Sequence, residues 1–183
     1  MRRLLWAVVL AGVTAGGLRA NETVAAGQPL ALAVKEKVQK ELGLTPEQAA
    51  AVKKLHADAA RDEKSDAPAA LARELKPAQM KRLREISYQV RAGSVLADAE
   101  VVKELGLSAA QGRKIARLWK DEEENLRQVL RVARFRNAAV RRKFILEHRR
   151  DAGKKMLGQL TDEQAAALKK LQGKPFDLAG LDT

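Results

Sequence analysis

Few side chains in this sequence could carry out catalysis or hold a metal ion. The chain has two histidines, His56 and His148, that lie 92 positions apart, and it has no cysteine. Zinc usually takes four protein ligands, or three ligands and a water molecule, so two distant histidines would need recruited carboxylates. No glycine-rich phosphate loop follows a strand pattern, and the carboxylates lie in mixed-charge helical runs where salt bridging is their ordinary role. We therefore expect no enzyme, no cofactor and no tightly bound metal.

Arginine is the residue type whose spacing does suggest a chemical role. The formal net charge is +12 at pH 7, and a basic stripe follows one long helical pattern in the second half of the chain. A positive surface of this kind attracts acidic protein segments, anionic lipid headgroups or polyanions. The alternative interpretation is a solvated face that keeps a long helix soluble. The candidate client-binding residues in the stripe are Arg127, Arg131, Arg134, Arg141, Arg142 and Arg149.

A second group of side chains is placed to start helices. Thr45 is suited to be an N-cap, Pro46 takes the first helical position, and the Gln48 side chain reaches back to the Thr45 amide. This pattern occurs four times in the chain. Its repeated positions are Leu44, Thr45 and Gln48; Leu75 and Gln79; Leu107, Ser108 and Gln111; and Leu160, Thr161 and Gln164. The second copy is degenerate, because Lys76 occupies the cap position and offers no side-chain oxygen.

The spacing of the copies indicates a duplication. The leucines before the caps lie 31 residues apart in the first pair and 53 apart in the second, as expected for one unit that was duplicated and then stretched. The Leu-Thr-x-x-Gln sequences at 44–48 and 160–164 resemble the signature of the bacterial periplasmic Spy/CpxP-like proteins. The resemblance covers roughly residues 38–91 and 101–171. It implies an all-helical hairpin scaffold and a role as an ATP-independent chaperone, which works as a cradle-shaped dimer, or as an envelope-stress adaptor.

The N-terminal residues have the form of a secretory signal. Arg2 and Arg3 precede an apolar run from 4 to 13, and small residues follow up to Ala20 or Ala26, the two candidate cleavage positions. Removal of residues 1–20 would leave a net charge of +9. We therefore expect a periplasmic or secreted protein with a signal peptide at 1–20. An uncleaved membrane anchor is the alternative interpretation of this run.

The remaining sequence predicts an all-α fold, because apolar residues recur at helical spacing and strand alternation is absent. We expect a first helical unit at 30–91, a second unit at 98–172, a hinge at 92–94 and a flexible tail at 173–183.

From Ser108 to about Ala152 there is no proline, which predicts one basic helix of about 45 residues. Its apolar stripe includes Leu126 and Val140 and is too long for short neighbours to cover, so a homodimer or a bound client is expected.

These features together predict an exported helical protein that binds unfolded or partly folded proteins, or an envelope sensor, on its basic and partly apolar surface. Two further functions fit the sequence less completely. The charge would suit a protein that binds nucleic acid or another polyanion, although the signal segment argues against DNA as a partner. A structural component of the envelope is the other alternative. Transient contact with an anionic membrane surface is also compatible with the basic helix.

Overall fold

The structure, a computed structural model, describes residues 29–62 and 66–181. Within these ranges it contains helices and no strand, which confirms the all-α fold. The helices are α1 (Pro29–Ala33), α2 (Glu36–Leu42), α3 (Pro46–Ala59), α4 (Ala67–Glu74), α5 (Pro77–Arg91), α6 (Ala99–Glu104), α7 (Ala109–Val132), α8 (Ala138–Leu157) and α9 (Asp162–Gln172), with a 3-10 helix at Ala92–Ala97. No helix in the described ranges is long and apolar enough to cross a bilayer. The predicted signal segment and both cleavage positions lie outside these residues.

The same kind of helix ending, with a glycine in the left-handed conformation, precedes the first motif of each unit. Gly43 ends α2 and Gly106 follows α6, and both have a φ of +58°, a left-handed conformation that glycine adopts without strain. The next amide, that of Leu44 or Leu107, donates to a carbonyl five residues earlier at 3.0 and 3.1 Å, respectively. This glycine-dependent ending satisfies carbonyls that the helix leaves open. It also turns the chain so that the residue after the leucine, Thr45 or Ser108, can cap the next helix.

The buried apolar residues form two separate cores. The first core is formed by Leu32, Ala33, Val38, Leu42, Val52, Leu71, Leu75, Leu83, Ile86 and Leu181. The second core is formed by Tyr88, Val95, Leu96, Val101, Leu105, Ile115, Ala152, Met156 and Leu168. Their composition is mainly aliphatic, which suits narrow seams between helices. Each core draws on both motif helices of its pair. Val52 of α3 and Leu83 of α5 lie in the first core, and Ile115 of α7 and Leu168 of α9 lie in the second.

The prediction of one helix from Ser108 to about Ala152 is wrong. Helix α7 ends at Val132, residues 133–137 form a loop, and α8 begins at Ala138 with Asn137 as its cap. The Asn137 side chain accepts a hydrogen bond from the Val140 amide at 2.9 Å. The two helices form an antiparallel hairpin, so α8 supplies the partner for the apolar face of α7. The apolar face of α7 therefore does not require a second chain, and the homodimer stays a prediction.

The α7–α8 hairpin is a lengthened version of the α3–α4 hairpin. The motif leucines are 22 residues farther apart in the second unit than in the first, and the added residues extend both arms of the hairpin. Leu126 is the last buried residue of α7, and the next buried residue along the chain is Ala152. Val140, predicted in the buried stripe, is exposed. The outer part of the hairpin therefore extends beyond both cores.

The junction between the units is a tight crossing, although the sequence predicts a hinge there. Gly93 is buried in the 3-10 helix and lies against Gly153 of α8. A Cβ atom on Gly93 would lie 2.2 Å from the carbonyl oxygen of Gly153, whereas a Cβ on Gly153 would lie 3.2 Å from the Gly93 nitrogen. The neighbouring Ala92 has a φ of +46°, which strains an alanine. Close backbone packing thus fixes the junction.

The C-terminal segment is part of the packed structure as far as Leu181, in contrast to the predicted flexible tail. Leu181 is buried in the first core, and Phe176 and Leu178 pack against that core. The Phe176 amide donates to the Gln89 side chain at 2.8 Å, and Lys37 forms an ion pair with Asp177 at 2.6 Å. Since this segment follows the last helix of the second unit, it links the second unit to the first. Residues 173–181 are called the C-terminal strap below.

Candidate functional site

The motif glutamines do more than cap their own helices, because those of the first unit bind each other. Gln48 and Gln79 exchange side-chain hydrogen bonds at 3.0 and 3.1 Å. Each side-chain oxygen also accepts from the cap amide of its own motif, Thr45 or Lys76, at 3.2 and 2.8 Å. Gln48 donates to the Glu74 carbonyl at 2.8 Å, across in the other motif. The two helix starts are therefore tied together by a reciprocal amide pair.

The second unit repeats this arrangement. Gln111 and Gln164 exchange side-chain hydrogen bonds at 2.7 and 3.3 Å. Their side-chain oxygens accept from the Ser108 and Thr161 amides, both at 3.0 Å. The hydroxyls of Ser108 and Thr161 complete the capping boxes by accepting from the backbone amides of Gln111 and Gln164 at 3.2 and 3.3 Å. In the first unit, the Thr45 hydroxyl accepts from the Gln48 backbone amide at 3.2 Å.

The paired motifs share one geometrical rule. In all four copies the glutamine amide group donates to the carbonyl of the residue just before the partner motif's leucine. The sequence predicts the cap roles of these glutamines but not their pairing, although the equal spacing of glutamines and leucines in each pair was an available signal. All of these groups are engaged with one another. The motif residues consequently stabilise the pairing of the helix starts.

The surface with binding potential is the hairpin tip, defined here as residues 127–144. The tip contains seven basic residues and no acidic one, and none of its residues is buried. Five of the predicted arginines lie there and are exposed, namely Arg127, Arg131, Arg134, Arg141 and Arg142. The sequence did not single out Arg136, whose side chain is also exposed in the loop between the helices.

Two exposed valines accompany these arginines. Among the described residues, Val132 at 76% and Val140 at 46% are the large hydrophobic side chains with high exposure, and both lie in the tip. Phe135 of the loop packs on Phe144 of α8, with ring centroids 5.4 Å apart, and this contact holds the loop against α8. The tip thus combines positive charge with a small apolar surface on one ordered hairpin.

Arg149 does not belong to this surface. It is half-buried between the arms, near Trp119 and Leu126, and lines a small crevice with them. Burial lowers the pKa of Arg149, against the opposing influence of the Glu123 carboxylate. Arg149 therefore lies apart from the exposed arginines of the predicted client-binding set.

A polar cluster lies at the base of the hairpin's outer part. The Nε2 atom of His148 is 3.1 Å from the backbone carbonyl oxygen of Glu122 and 3.4 Å from its side chain, which also forms an ion pair with Lys155. The His148 ring stacks on Phe144. His56 is exposed on α3, far along the chain from this cluster. The described residues contain no group of three or more potential metal ligands. The cluster is an ion-paired connection between α7 and α8.

Comparisons of the chain with protein-family models, with curated proteins and with solved structures gave no match.

Proposed function

We propose that this chain is an exported, non-enzymatic binding protein that captures unfolded or partly folded proteins on its hairpin tip. In this proposal it acts without a cofactor in the periplasm or outside the cell, as an ATP-independent chaperone or a stress adaptor. The resemblance of its Leu-Thr-x-x-Gln motifs to those of the Spy/CpxP-like proteins supports this class of function. The two packed units supply the base from which the tip extends.

The observation that carries the proposal is the coincidence of charge and apolar exposure. The two strongly exposed valines lie within the segment that has seven basic residues and no acidic one. Exposed charge accelerates the encounter with acidic clients, and its effect is screened over about 8 Å at physiological ionic strength. A small apolar patch adds contact without making release slow, so client turnover needs no ATP.

A light-scattering assay with a thermally aggregating acidic client tests this proposal. Changing Arg134, Arg141 and Arg142 to Gln should slow the suppression of aggregation and flatten its salt dependence, while the melting temperature stays near that of the parent. These three arginines have no ion-pair partner among the described residues. The matched control replaces Lys53, Lys54 and Arg84 by Gln, since these exposed cations lie on the scaffold helices. The control should suppress aggregation like the parent.

Equal activity of the parent and the tip variant at low salt would contradict the proposal. The basic stripe would then be a solvated face, and the chaperone function would rest on the motif resemblance alone. Binding to a polyanion is the second candidate, because the acid-free tip also suits phosphates. Export of the chain with loss of residues 1–20 or 1–26 would remove genomic DNA as a partner.

A further inference from the structure

We infer that the hairpin tip docks on the surface of an anionic phospholipid bilayer, with its arginines at the headgroups and Val132 and Val140 inserted among them. This inference goes beyond protein binding, because it assigns the tip a lipid partner. It depends on three properties of the tip: its protruding shape, its charge and the position of its exposed valines.

The shape of the tip suits a flat partner. No residue from 127 to 151 is buried, so the outer part of the two arms contacts mainly the opposite arm. About 18 Å of helix separates Val140 from Ala152, where α8 enters the second core. A bilayer surface can be reached by both arms and by the loop at once.

The charge of the tip suits an anionic partner. Two of its seven basic residues form ion pairs, Arg127 with Glu124 and Lys143 with Glu147, and both acidic partners lie on the scaffold side of the tip. Arg134 and Arg136 flank Phe135 in the loop, and Arg141 lies in the first turn of α8. Clusters of four to eight basic residues are typical of proteins that bind anionic membranes.

The exposed valines distinguish the tip from a purely electrostatic surface. Val132 ends α7 and Val140 lies in the first turn of α8, so both are close to the loop. Apolar side chains at the end of a basic element enter the boundary between headgroups and acyl chains. Because protein clients are proposed for the same surface, membrane and client would exclude each other. Membrane-bound molecules would then have to leave the bilayer before they could capture a client.

Vesicle cosedimentation with the full mature chain tests the inference. The probes are vesicles of phosphatidylcholine alone and vesicles in which about a third of the lipid is phosphatidylglycerol. We expect binding to the anionic vesicles that weakens with salt, and none to the neutral ones. Arg134→Gln, Arg141→Gln and Arg142→Gln together should weaken binding about a hundredfold, whereas the Lys53, Lys54 and Arg84 control should bind within about threefold of the parent.

The valines are tested by a variant that keeps every charge. Val132→Ser together with Val140→Ser should weaken binding to anionic vesicles about tenfold, and circular dichroism should show unchanged helix content because both side chains are exposed. Three results would overturn the inference: no binding to anionic vesicles at low salt, parent-like binding by the valine variant, or binding of soluble polyglutamate without vesicle binding. Since client capture is measured separately by light scattering, loss of the lipid proposal would leave the proposed function standing.

Discussion

At the scale of single residues, the glutamine of the Leu-Thr-x-x-Gln pattern has a role that helix capping alone does not explain. Each glutamine oxygen accepts from its own cap amide and from the partner glutamine, while its amide group reaches the backbone of the other motif. One amide side chain can make these bonds because it both donates and accepts. Glutamate could accept at the cap but could not donate to the partner carbonyl.

A double-mutant cycle on Gln48 and Gln79 tests this pairing. Each single change to Ala should lower the free energy of unfolding by about 1 to 3 kcal/mol, because half-buried polar partners lose their hydrogen bonds. The double variant should lose less than the sum, with a coupling of at least about 0.5 kcal/mol in urea denaturation. Gln128→Ala is the control, since Gln128 is exposed and bonds only within its helix to Glu124. Additive losses would show that the two glutamines act independently.

The caps themselves predict changes of opposite sign. Thr45→Ala or Thr161→Ala should lower the free energy of unfolding by about 1 kcal/mol, since each hydroxyl accepts from a helix amide. Lys76→Thr should raise it by about 0.5 to 1 kcal/mol, because Lys76 already has the extended N-cap conformation but lacks the oxygen. Thermal melts of the three variants check these signs. Unchanged melting of both alanine variants would refute the capping account.

At the scale of helices, the crossing of the 3-10 helix and α8 requires close contact between two backbones. Glycine at both positions of the crossing permits this contact, and the strained Ala92 lies directly beside it. The predicted hinge contains the same glycine. A sequence pattern of small residues does not distinguish a flexible link from a tight crossing, because glycine serves both purposes.

Substitutions at the crossing should therefore have unequal effects. Gly93→Ala should destabilise the protein by more than about 3 kcal/mol, because its Cβ would overlap the Gly153 carbonyl group. Gly153→Ala should have a smaller effect, since its Cβ would meet the Gly93 nitrogen at 3.2 Å and a small shift relieves the contact. Ala92→Gly should be neutral or stabilising by up to about 1 kcal/mol because the positive φ is relieved. Urea denaturation of the three variants measures the order, and equal effects at the two glycines would contradict this packing.

At the scale of the whole molecule, the C-terminal strap joins the end of the second unit to the first core. Lys37 and Asp177 hold it from outside, and Leu181 anchors it inside the first core. The hydrogen bond from Lys37 lowers the pKa of Asp177, with smaller contributions from the Ala179 amide and the Lys37 charge. A carboxyl group with a lowered pKa stabilises the folded form above its unfolded pKa, and this contribution is lost as the pH falls through the folded value.

The strap should therefore loosen in acid and in an Asp177→Asn variant. At neutral pH the variant should show faster amide hydrogen exchange at 174–181 than the parent, because the ion pair with Lys37 is absent. The difference should shrink as the pH falls below the ordinary aspartate value of 3.8, where the parent also becomes protonated. Asp58→Asn is the control, since this exposed aspartate on α3 lies outside the strap. Equal exchange of parent and Asp177→Asn at neutral pH would show that the apolar anchors alone hold the strap.

Local sequence determined the helical class and the positions where most helices begin. Threonine, serine, proline and glycine at the four motifs act through neighbouring backbone groups, so their effects are readable within a few residues. The 31 and 53 spacing also identified the motif pairs. The basic residues of the tip were found in the same way, because charge is a property of composition.

Tertiary structure decided the features that depend on partners distant in the chain. No proline or glycine separates α7 from α8. The chain nevertheless reverses, because packing α8 against α7 buries Leu126 and Ala152. One continuous helix would leave these two side chains without a partner. The pairing of the glutamines, the burial of Gly93 and the docking of the strap likewise join residues from separate helices. Arg149 was misassigned for the same reason, since a helical repeat cannot tell which basic side chain faces its neighbour. Helix propensity is a local and weak energy, and tertiary packing overrides it.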